Sequence, residues 1–163
     1  MKKQDAVIFD RDGTLFSVEH HMVTKNGKTG PRDWGSFNAN CADDCVVPAV
    51  ATLFRLIRDD CYGTKVIITS GREDHTRKNM LLGMERHDVV PDGLFMRQTG
   101  DNRKDSIVKR EIYESQIEPF FNVLFVVDDR PQVVEAWREL GLHVIAVTDP
   151  GGIPPCGGVH EAQ

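Results

Sequence analysis

The sequence predicts an α/β fold in which helices pack on both faces of a central, mainly parallel sheet. Two observations support this prediction: short apolar runs of strand length recur along the chain, and segments with helical periodicity lie between them. With 163 residues and 40% hydrophobic residues, the chain has about the length of one domain and can bury a core. Parallel strands joined by right-handed crossovers would give a layered α/β sandwich.

The predicted strands are short apolar runs rich in β-branched residues, which is typical of strands buried on both faces. The first run ends at Asp10, and three similar runs and one weaker candidate follow it along the chain. The predicted strands cover residues 6–9, 65–69, 123–127 and 142–147, and the weaker candidate covers residues 93–96.

Four helices are predicted between these runs. Apolar residues from Val50 to Ile57 recur at i, i+3, i+4 and i+7, which gives one apolar helix face. The last helix begins with Pro131 and ends before Gly141, which matches the preference of helices for proline at the start and glycine after the end. The predicted helices cover residues 48–60, 73–86, about 103–116, and 131–140.

Two stretches have the composition of irregular structure. Residues 15–47 combine glycine, proline and polar residues, so we expect a hairpin or flap rather than a separate domain. The tail over about 148–163 is rich in glycine and proline, and we expect it to be mobile. The whole chain, residues 1–163, is therefore predicted to form one domain.

Composition also limits the functional classes. The chain has 20 Lys and Arg against 25 Asp and Glu, and its formal net charge of −5 gives no general electrostatic attraction to DNA or acidic membranes. No apolar run approaches the ~20 residues of a membrane span, and the N-terminal run is too short for a signal peptide. We therefore expect a cytoplasmic protein without a membrane partner.

Polar residues follow three of the predicted strands. The carboxyl ends of parallel strands meet at one sheet edge, where ligands of such folds bind. A single Asp after a strand is more often a cap or turn residue, but three such segments in order favour a functional site. Clustered carboxylates repel each other unless a cation lies among them, and Mg²⁺ with a phosphate ligand suits them. The segments are Asp10-Arg11-Asp12-Gly13-Thr14, Thr69-Ser70-Gly71-Arg72 and Asp128-Asp129-Arg130.

These segments resemble the motifs of the haloacid dehalogenase (HAD) superfamily of phosphohydrolases. Residues 8–15, Ile-Phe-Asp-Arg-Asp-Gly-Thr-Leu, match the first motif at every defining position. The resemblance implies a three-layer Rossmann-like HAD fold with a short flap and no large cap domain. The positions that match the second, third and fourth motifs are Ser70, Lys104 and Asp128-Asp129. Lys109 is the alternative to Lys104 for the third motif.

Within this superfamily the chain is similar to the phosphatase domain of phage-type polynucleotide kinase/phosphatases, from about residue 5 to residue 147. No Gly-x-x-x-x-Gly-Lys-Ser/Thr loop occurs in the sequence, so we expect no kinase domain within it. The segments that carry this narrower resemblance are residues 41–48, 66–73, 100–105 and 126–134.

The resemblance implies roles for the acidic residues. Asp10 would attack phosphorus and form a phospho-aspartyl intermediate. Asp12 would protonate the leaving hydroxyl and then activate water, and for the first task we expect neighbouring carboxylates to raise the pKa of Asp12. Mg²⁺ would be held by the Asp10 carboxylate, the Asp12 backbone carbonyl and the Asp128-Asp129 pair. Thr14 would support the loop.

The resemblance also implies the residues that bind the phosphoryl group. Ser70 and the amide of Gly71 would donate hydrogen bonds to its oxygens, and Lys104 would offset the charge that develops on them. Arg72 would contact the substrate. Asp101 would orient a neighbouring cation, and the alternative for Asp101 is a helix cap.

One position departs from the family pattern. The family has a catalytic Arg on the flap just before a Gly-Pro, whereas Thr29 precedes Gly30-Pro31 here. Lys28 or Arg32 is expected to take its place, although a Lys and an Arg do not bind phosphate equivalently.

The resemblance therefore implies a Mg²⁺-dependent phosphohydrolase that removes 3′-phosphate from DNA or RNA ends in nucleic-acid repair. Only residues 15–47 are available to cover the site, and an open site admits the end of a polymer. The alternatives are a small-molecule or nucleotide phosphatase and a binding protein that keeps the fold without turnover. A separate kinase or ligase is a possible partner.

Overall fold

The computed structural model of this protein contains a five-stranded, fully parallel sheet. It describes residues 2–25, 28–31, 33–60 and 62–148, without the side chains of residues 24, 25, 28 and 29. The strands are β1 (Gln4–Asp10), β4 (Lys65–Glu73), β5 (Gly93–Arg97), β6 (Phe121–Asp128) and β7 (Val144–Ala146). Their order in the sheet, β5-β4-β1-β6-β7, places the first strand in the centre. The predicted α/β fold is confirmed, and the weaker strand candidate is a strand.

Strand β1 is central because its apolar residues serve both faces of the sheet. Side chains alternate along a strand, so Val7 and Phe9 enter one hydrophobic cluster and Ala6 and Ile8 enter another. These four side chains are buried completely or nearly so. Helices cover the two clusters, and the result is the expected three-layer arrangement.

Four helices connect the strands. The Val7 cluster is covered by α2 (Pro48–Arg58) and α3 (Arg77–Arg86), and the Ala6 cluster by α4 (Asp105–Ile112) and α5 (Pro131–Glu139). Helix α4 continues as a π-helical turn over Tyr113–Ile117.

One helix begins later than predicted. Residue 73 still belongs to β4, where Glu73 pairs with Arg97 of β5 after a register shift that follows Ser70. A 3₁₀ turn, Asp74–Thr76, then precedes α3. The strand is longer than its apolar run because its last residues pair with β5, and this pairing is a tertiary contact that the run does not indicate.

The segment between the first two sheet strands contains an antiparallel hairpin, β2 (Met22–Lys25) and β3 (Lys28–Pro31), and a short helix, α1 (Trp34–Ala39). The Asp33 carboxylate caps α1 by accepting hydrogen bonds from the backbone amides of Gly35 and Ser36. The hairpin expected of the flap is therefore present. The predicted mobile tail lies, apart from residue 148, outside the described residues. Within the described ranges, no helix has both the length and the apolarity needed to cross a membrane.

Candidate active site

Three carboxylates meet at the carboxyl edge of the sheet. Asp10 is the last residue of β1, Asp128 is the last residue of the neighbouring β6, and Asp129 follows it. One carboxylate oxygen from each lies within 4.8 Å of the others. The chain changes its direction of winding between β1 and β6, where ligands of open α/β sheets bind. The predicted convergence of the first and fourth motifs is therefore present in the structure.

A buried lysine joins two of these acids. Lys109 Nζ donates hydrogen bonds to Asp10 Oδ1 at 2.5 Å and to Asp128 Oδ2 at 2.9 Å, and it lies 3.8 Å from Asp105 Oδ2. Burial lowers the pKa of Lys109, but the surrounding carboxylates outweigh it and the pKa is raised. We call Asp10, Lys109, Asp128 and Asp129 the lysine cluster.

Lys104 does not reach this cluster, which corrects the choice made from the sequence. It is exposed and occupies the residue before α4, whereas Lys109 lies one turn into the helix and is only 1% exposed. A helix presents residues i and i+4 on the same side, so Asp105 and Lys109 face the cluster together. The start of α4 therefore decides which lysine meets Asp10.

The lysine cluster fits a divalent cation. Asp10 Oδ2 is buried and has no hydrogen-bond partner among the described residues. Burial and the nearby acids raise the pKa of Asp10 well above its usual value, although Lys109 lowers it. Burial likewise raises the pKa of Asp129. Anionic carboxylates are therefore costly here without more positive charge, and an all-oxygen set suits Mg²⁺.

The loop after β1 positions Asp129. Thr14 Oγ1 donates a hydrogen bond to Asp129 Oδ1 at 3.0 Å, which agrees with its expected supporting role. Gly13 has a φ of +94°, and a Cβ atom there would lie 2.4 Å from Asp129 Oδ2. Both the backbone conformation and this close approach therefore require glycine at position 13.

Asp12 belongs to a second group of charges. Arg11 Nη1 lies 2.5 Å from Asp12 Oδ1 and 2.8 Å from Asp44 Oδ2. Arg72 Nε lies 2.8 Å from Asp12 Oδ2, and its Nη2 lies 3.3 Å from Asp44 Oδ2. We call Arg11, Asp12, Asp44 and Arg72 the arginine cluster. Its two positive and two negative charges alternate in a closed ring of contacts.

These contacts reverse the expected protonation of Asp12. Burial raises the pKa of Asp12, but the charges and hydrogen bonds of Arg11 and Arg72 outweigh it and lower the pKa to about 2. The expectation that neighbouring carboxylates keep Asp12 protonated is therefore wrong for this structure. The Asp12 side chain faces arginines, whereas Asp10 faces other acids.

The second-motif residues lie at the end of β4. Ser70 is buried, and its Oγ accepts a hydrogen bond from the Arg72 amide at 3.1 Å. A Cβ atom at Gly71 would lie 2.3 Å from Asp105 Oδ1, so glycine allows β4 and α4 to approach closely. The Asp101 carboxylate accepts hydrogen bonds from the Arg103 backbone amide and guanidinium, and the closest guanidinium contact is 2.7 Å.

A cavity of about 470 Å³ opens beside Asp10 and Asp12. The side chains of Lys28 and Arg32 lie outside the described part of the chain, so these replacements for the flap Arg stay predictions. The cavity is lined by Asp10, Asp12, Trp34, Phe37, Asn38, Gly71, Arg72, Glu73, Arg97, Asp101, Asn102, Arg103, Asp105 and Arg130.

Sequence reasoning assigned no role to several residues of this region. Arg130 Nη1 lies 3.6 Å from Asp105 Oδ2 and leaves half of its side chain exposed at the cavity. Its position directly after Asp128-Asp129 was an available signal. No local signal marks Asp44, because its partners Arg11 and Arg72 come from distant segments. The i, i+4 spacing of Asp105 and Lys109 was an available signal for Asp105. Trp34 begins α1 and was not singled out.

Comparison with known proteins agrees with this geometry. Residues 4–151 match the family model for the polynucleotide kinase PNKP phosphatase domain. A putative bifunctional polynucleotide kinase/RNA ligase of Autographa californica nuclear polyhedrosis virus is 28% identical over 141 residues, which are 86% of this chain and 19% of the relative. The chain therefore corresponds to a small part of that protein.

Two solved structures also superpose on most of this chain. A chain of the Pnkp1/Rnl/Hen1 complex superposes with a TM-score of 0.75 at 37% identity, over 90% of this chain and 47% of its own length. A chain of the Pnkp1/Rnl/Hen1 RNA repair complex gives a TM-score of 0.76 at 36% identity, over 89% of this chain and 42% of its own.

A class C acid phosphatase from Bacillus anthracis with tungstate bound shares the fold alone, at 17% identity and a TM-score of 0.64, over 90% of this chain and 67% of its own. The family match and the motifs agree: this chain belongs to the PNKP phosphatase domain family, within the HAD fold.

Proposed function

We propose that this protein is a Mg²⁺-dependent phosphohydrolase that removes the 3′-phosphate from DNA or RNA ends in nucleic-acid repair. The observation that carries the proposal is Asp10, whose buried Oδ2 has no partner among the described residues and whose Oδ1 is held by Lys109. A carboxylate fixed at one oxygen and free at the other is prepared to act as a nucleophile. Membership of the PNKP phosphatase domain family supports the substrate class.

The reaction has two steps. In the first, a carboxylate oxygen of Asp10 attacks phosphorus, the bond between phosphorus and the 3′-oxygen breaks, and that oxygen takes a proton from Asp12. In the second, Asp12 takes a proton from water as the water oxygen attacks phosphorus. The bond between phosphorus and Asp10 then breaks, inorganic phosphate leaves and the Asp10 carboxylate is restored.

Asp12 as the structure holds it suits the second step, because its low pKa leaves it as a carboxylate that can accept a proton from water. The first step needs a protonated Asp12. Arg72 lines the cavity and binds Asp12, so a phosphate dianion that competes for the Arg72 guanidinium would weaken one of the two arginine interactions, with Arg11 and with Arg72, that keep the pKa of Asp12 low. Arg72 would then link substrate binding to the protonation of Asp12.

The remaining site residues would bind Mg²⁺, offset negative charge or donate hydrogen bonds to the phosphoryl group. Mg²⁺ would be held by Asp10, Asp128 and Asp129, with the Asp12 backbone carbonyl as a further ligand, and when bound it neutralises charge between nucleophile and phosphate. Lys109, in place of Lys104, offsets the negative charge of Asp10 and Asp128. Ser70, Gly71 and Arg130 would donate hydrogen bonds to the phosphoryl oxygens.

Two relatives support the biological setting. The Pnkp1/Rnl/Hen1 assembly is an RNA repair complex, and the viral relative combines a polynucleotide kinase with an RNA ligase. This chain spans less than half of each of these relatives. We infer that a kinase and a ligase act on the same ends, with RNA as the favoured substrate. The cytoplasmic location and the single domain over 1–163 stay predictions.

The test is phosphate release from four substrates in Mg²⁺ and in EDTA: 3′-phosphorylated DNA, 3′-phosphorylated RNA, nucleoside 3′-monophosphates and an oligonucleotide with only a 5′-phosphate. We expect Mg²⁺-dependent release from the 3′-phosphorylated polymers and little from the 5′-phosphate control. Equal or faster release from the mononucleotides would replace this proposal with a nucleotide phosphatase.

A further inference from the structure

The cavity is lined by two unlike groups of residues. Asp10, Asp12 and Arg72 supply the charges at the reaction centre, whereas α1 contributes Trp34 and Phe37. The reaction proposed above uses the charged residues and assigns no role to Trp34 and Phe37. Binding of a phosphate group needs no aromatic surface, so these rings are available to bind another part of the substrate.

The two rings connect to the reaction centre through a continuous series of contacts. The Trp34 and Phe37 ring centroids are 5.7 Å apart with an interplanar angle of 80°. The Arg72 guanidinium carbon lies 3.7 Å from the centre of the Phe37 ring, and Arg72 binds Asp12. Three successive contacts, Trp34 with Phe37, Phe37 with Arg72 and Arg72 with Asp12, therefore connect the indole to the proposed general acid.

Trp34 is the exposed member of this series. Its side chain is 65% exposed, whereas Phe37 is 6% exposed and the second tryptophan of the chain, Trp137, is 1% exposed. The core therefore takes little benefit from the Trp34 indole. A flat apolar ring that covered the indole would remove a large apolar area from water.

The helix that carries Trp34 is fixed before any substrate arrives. Asp33 caps its first turn, Phe37 is buried, and Arg72 Nη1 donates a hydrogen bond to the Phe37 carbonyl oxygen. Asn79 of α3 donates to the Ala39 carbonyl oxygen at 3.1 Å. A platform that is already ordered loses little conformational entropy on binding.

We propose that Trp34 stacks on the base of the 3′-terminal nucleotide, so that the preferred substrate is an end whose last base is unpaired. This inference rests on the proposed function. Nucleobases stack on aromatic side chains when they are single-stranded, and stacking tolerates any base because every base has a π face. A blunt duplex would have to fray before its last base could reach Trp34.

Kinetics of Trp34→Ala test the proposal. We expect KM for a single-stranded 3′-phosphorylated oligonucleotide to rise about 5- to 150-fold, the usual range for loss of one base–aromatic stack, with kcat within about threefold. Trp34→Phe should keep most of the affinity. Hydrolysis of glycerol 2-phosphate, which has no ring that could stack, should change by less than about twofold. Tyr62→Ala is the matched control, because Tyr62 is 91% exposed and does not line the cavity.

A substrate lacking its terminal base makes the test specific. An oligonucleotide that ends in an abasic 3′-phosphate should bind the wild-type protein as weakly as the intact oligonucleotide binds Trp34→Ala. The two changes should not add, because each removes the same contact. Independent, additive losses would overturn the stacking assignment, and so would an unchanged KM for Trp34→Ala. The wild-type protein should also process a blunt duplex more slowly than a frayed one.

Fluorescence separates this proposal from the proposed function. In Asp10→Asn, binding of a 3′-phosphorylated oligonucleotide should quench the emission of exposed Trp34, and the abasic oligonucleotide should not. The same titration of the double variant Asp10→Asn/Trp34→Phe measures the contribution of Trp137, whose Nε1 donates a hydrogen bond to Asp128 Oδ2 at 3.1 Å. Failure of the stacking proposal appears as hydrolysis of oligonucleotides without quenching. Failure of the proposed function appears as absence of polymer hydrolysis, and quenching by a nucleoside 3′-monophosphate then still decides whether Trp34 binds a base.

Discussion

The lysine cluster and the arginine cluster contain aspartates that are only two residues apart in the chain, Asp10 and Asp12, yet the two side chains have opposite electrostatic environments. Asp10 lies among acids that share one buried lysine, and burial with these acids raises its pKa. Asp12 lies between two arginines, and its pKa is about 2. Residue type does not distinguish these carboxylates, but their partners do. An acid-rich cluster can accept a cation, whereas each acid of the arginine cluster already contacts two arginines.

The largest expected effect comes from removing the proposed nucleophile. Asp10→Asn should lower phosphate release from a 3′-phosphorylated oligonucleotide by at least about 10³-fold, because an amide does not form the covalent intermediate. The melting temperature should stay within a few degrees of the wild type, because one negative charge leaves an acid-rich cluster. Rate assays and thermal denaturation measure both quantities. A variant with wild-type activity would refute the role of Asp10.

Lys109→Ala should lower the same rate by about 10²–10³-fold, because it removes a preorganised cation from the reaction centre. It should also lower the free energy of unfolding by about 3–5 kcal/mol, because Asp10 and Asp128 lose their buried partner.

Lys104→Ala is the matched control for this change, with an expected rate within about twofold of the wild type. Rates and urea denaturation compare the two lysine variants. A larger rate loss in Lys104→Ala than in Lys109→Ala would restore the choice made from the sequence.

Substitution of Asp44 in the arginine cluster should act mainly on stability. Asp44 is fully buried and accepts hydrogen bonds from Arg11 and Arg72, so Asp44→Ala leaves two buried arginines with Asp12 alone. We expect a loss of about 3–5 kcal/mol in the free energy of unfolding, measured by urea denaturation.

Asp43→Ala, next to it in the chain, removes only an exposed pair with Arg86 and should cost less than about 1 kcal/mol. Equal losses in Asp43→Ala and Asp44→Ala would show that the buried ring of charges does not stabilise the fold.

The smallest expected effect concerns the Thr14 hydroxyl. Thr14→Val removes the hydrogen bond to Asp129 and should raise the Mg²⁺ concentration for half-maximal rate about 2- to 10-fold, the equivalent of one ordinary hydrogen bond. A Mg²⁺ titration of the rate measures it. Thr52→Val, whose hydroxyl donates to the Pro48 carbonyl on α2, should leave the Mg²⁺ dependence unchanged. A response of both variants would place the effect outside the site.

The comparison also explains how far the sequence could predict this site. The strands and the acids that follow them are local patterns, and a parallel sheet brings strand ends together, so the grouping of Asp10 with Asp128 and Asp129 was predictable. The choice between Lys104 and Lys109 depended on the first residue of α4 and on which side of that helix faces the sheet edge. Helix boundaries are set partly by tertiary contacts, which no local pattern gives.

The protonation of Asp12 could not be predicted for a related reason. Arg11 follows a strand and would ordinarily be a solvated residue, but it is completely buried and binds Asp44, 33 positions later. Arg72, on β4, binds both Asp12 and Asp44. A pKa depends on the partners of a group, and here they come from three segments whose meeting only the fold reveals.

The buried contacts of Arg11 have a consequence for sequence variation. Arg11 binds both the Cys41 carbonyl oxygen and Asp44, so it fastens the end of the flap segment to the first motif. The β2–β3 hairpin lies between these two attachment points. Insertions and deletions at the hairpin tip therefore change the length of a loop whose two ends are already pinned. We therefore expect changes in length there to leave the carboxylate at position 12 in place.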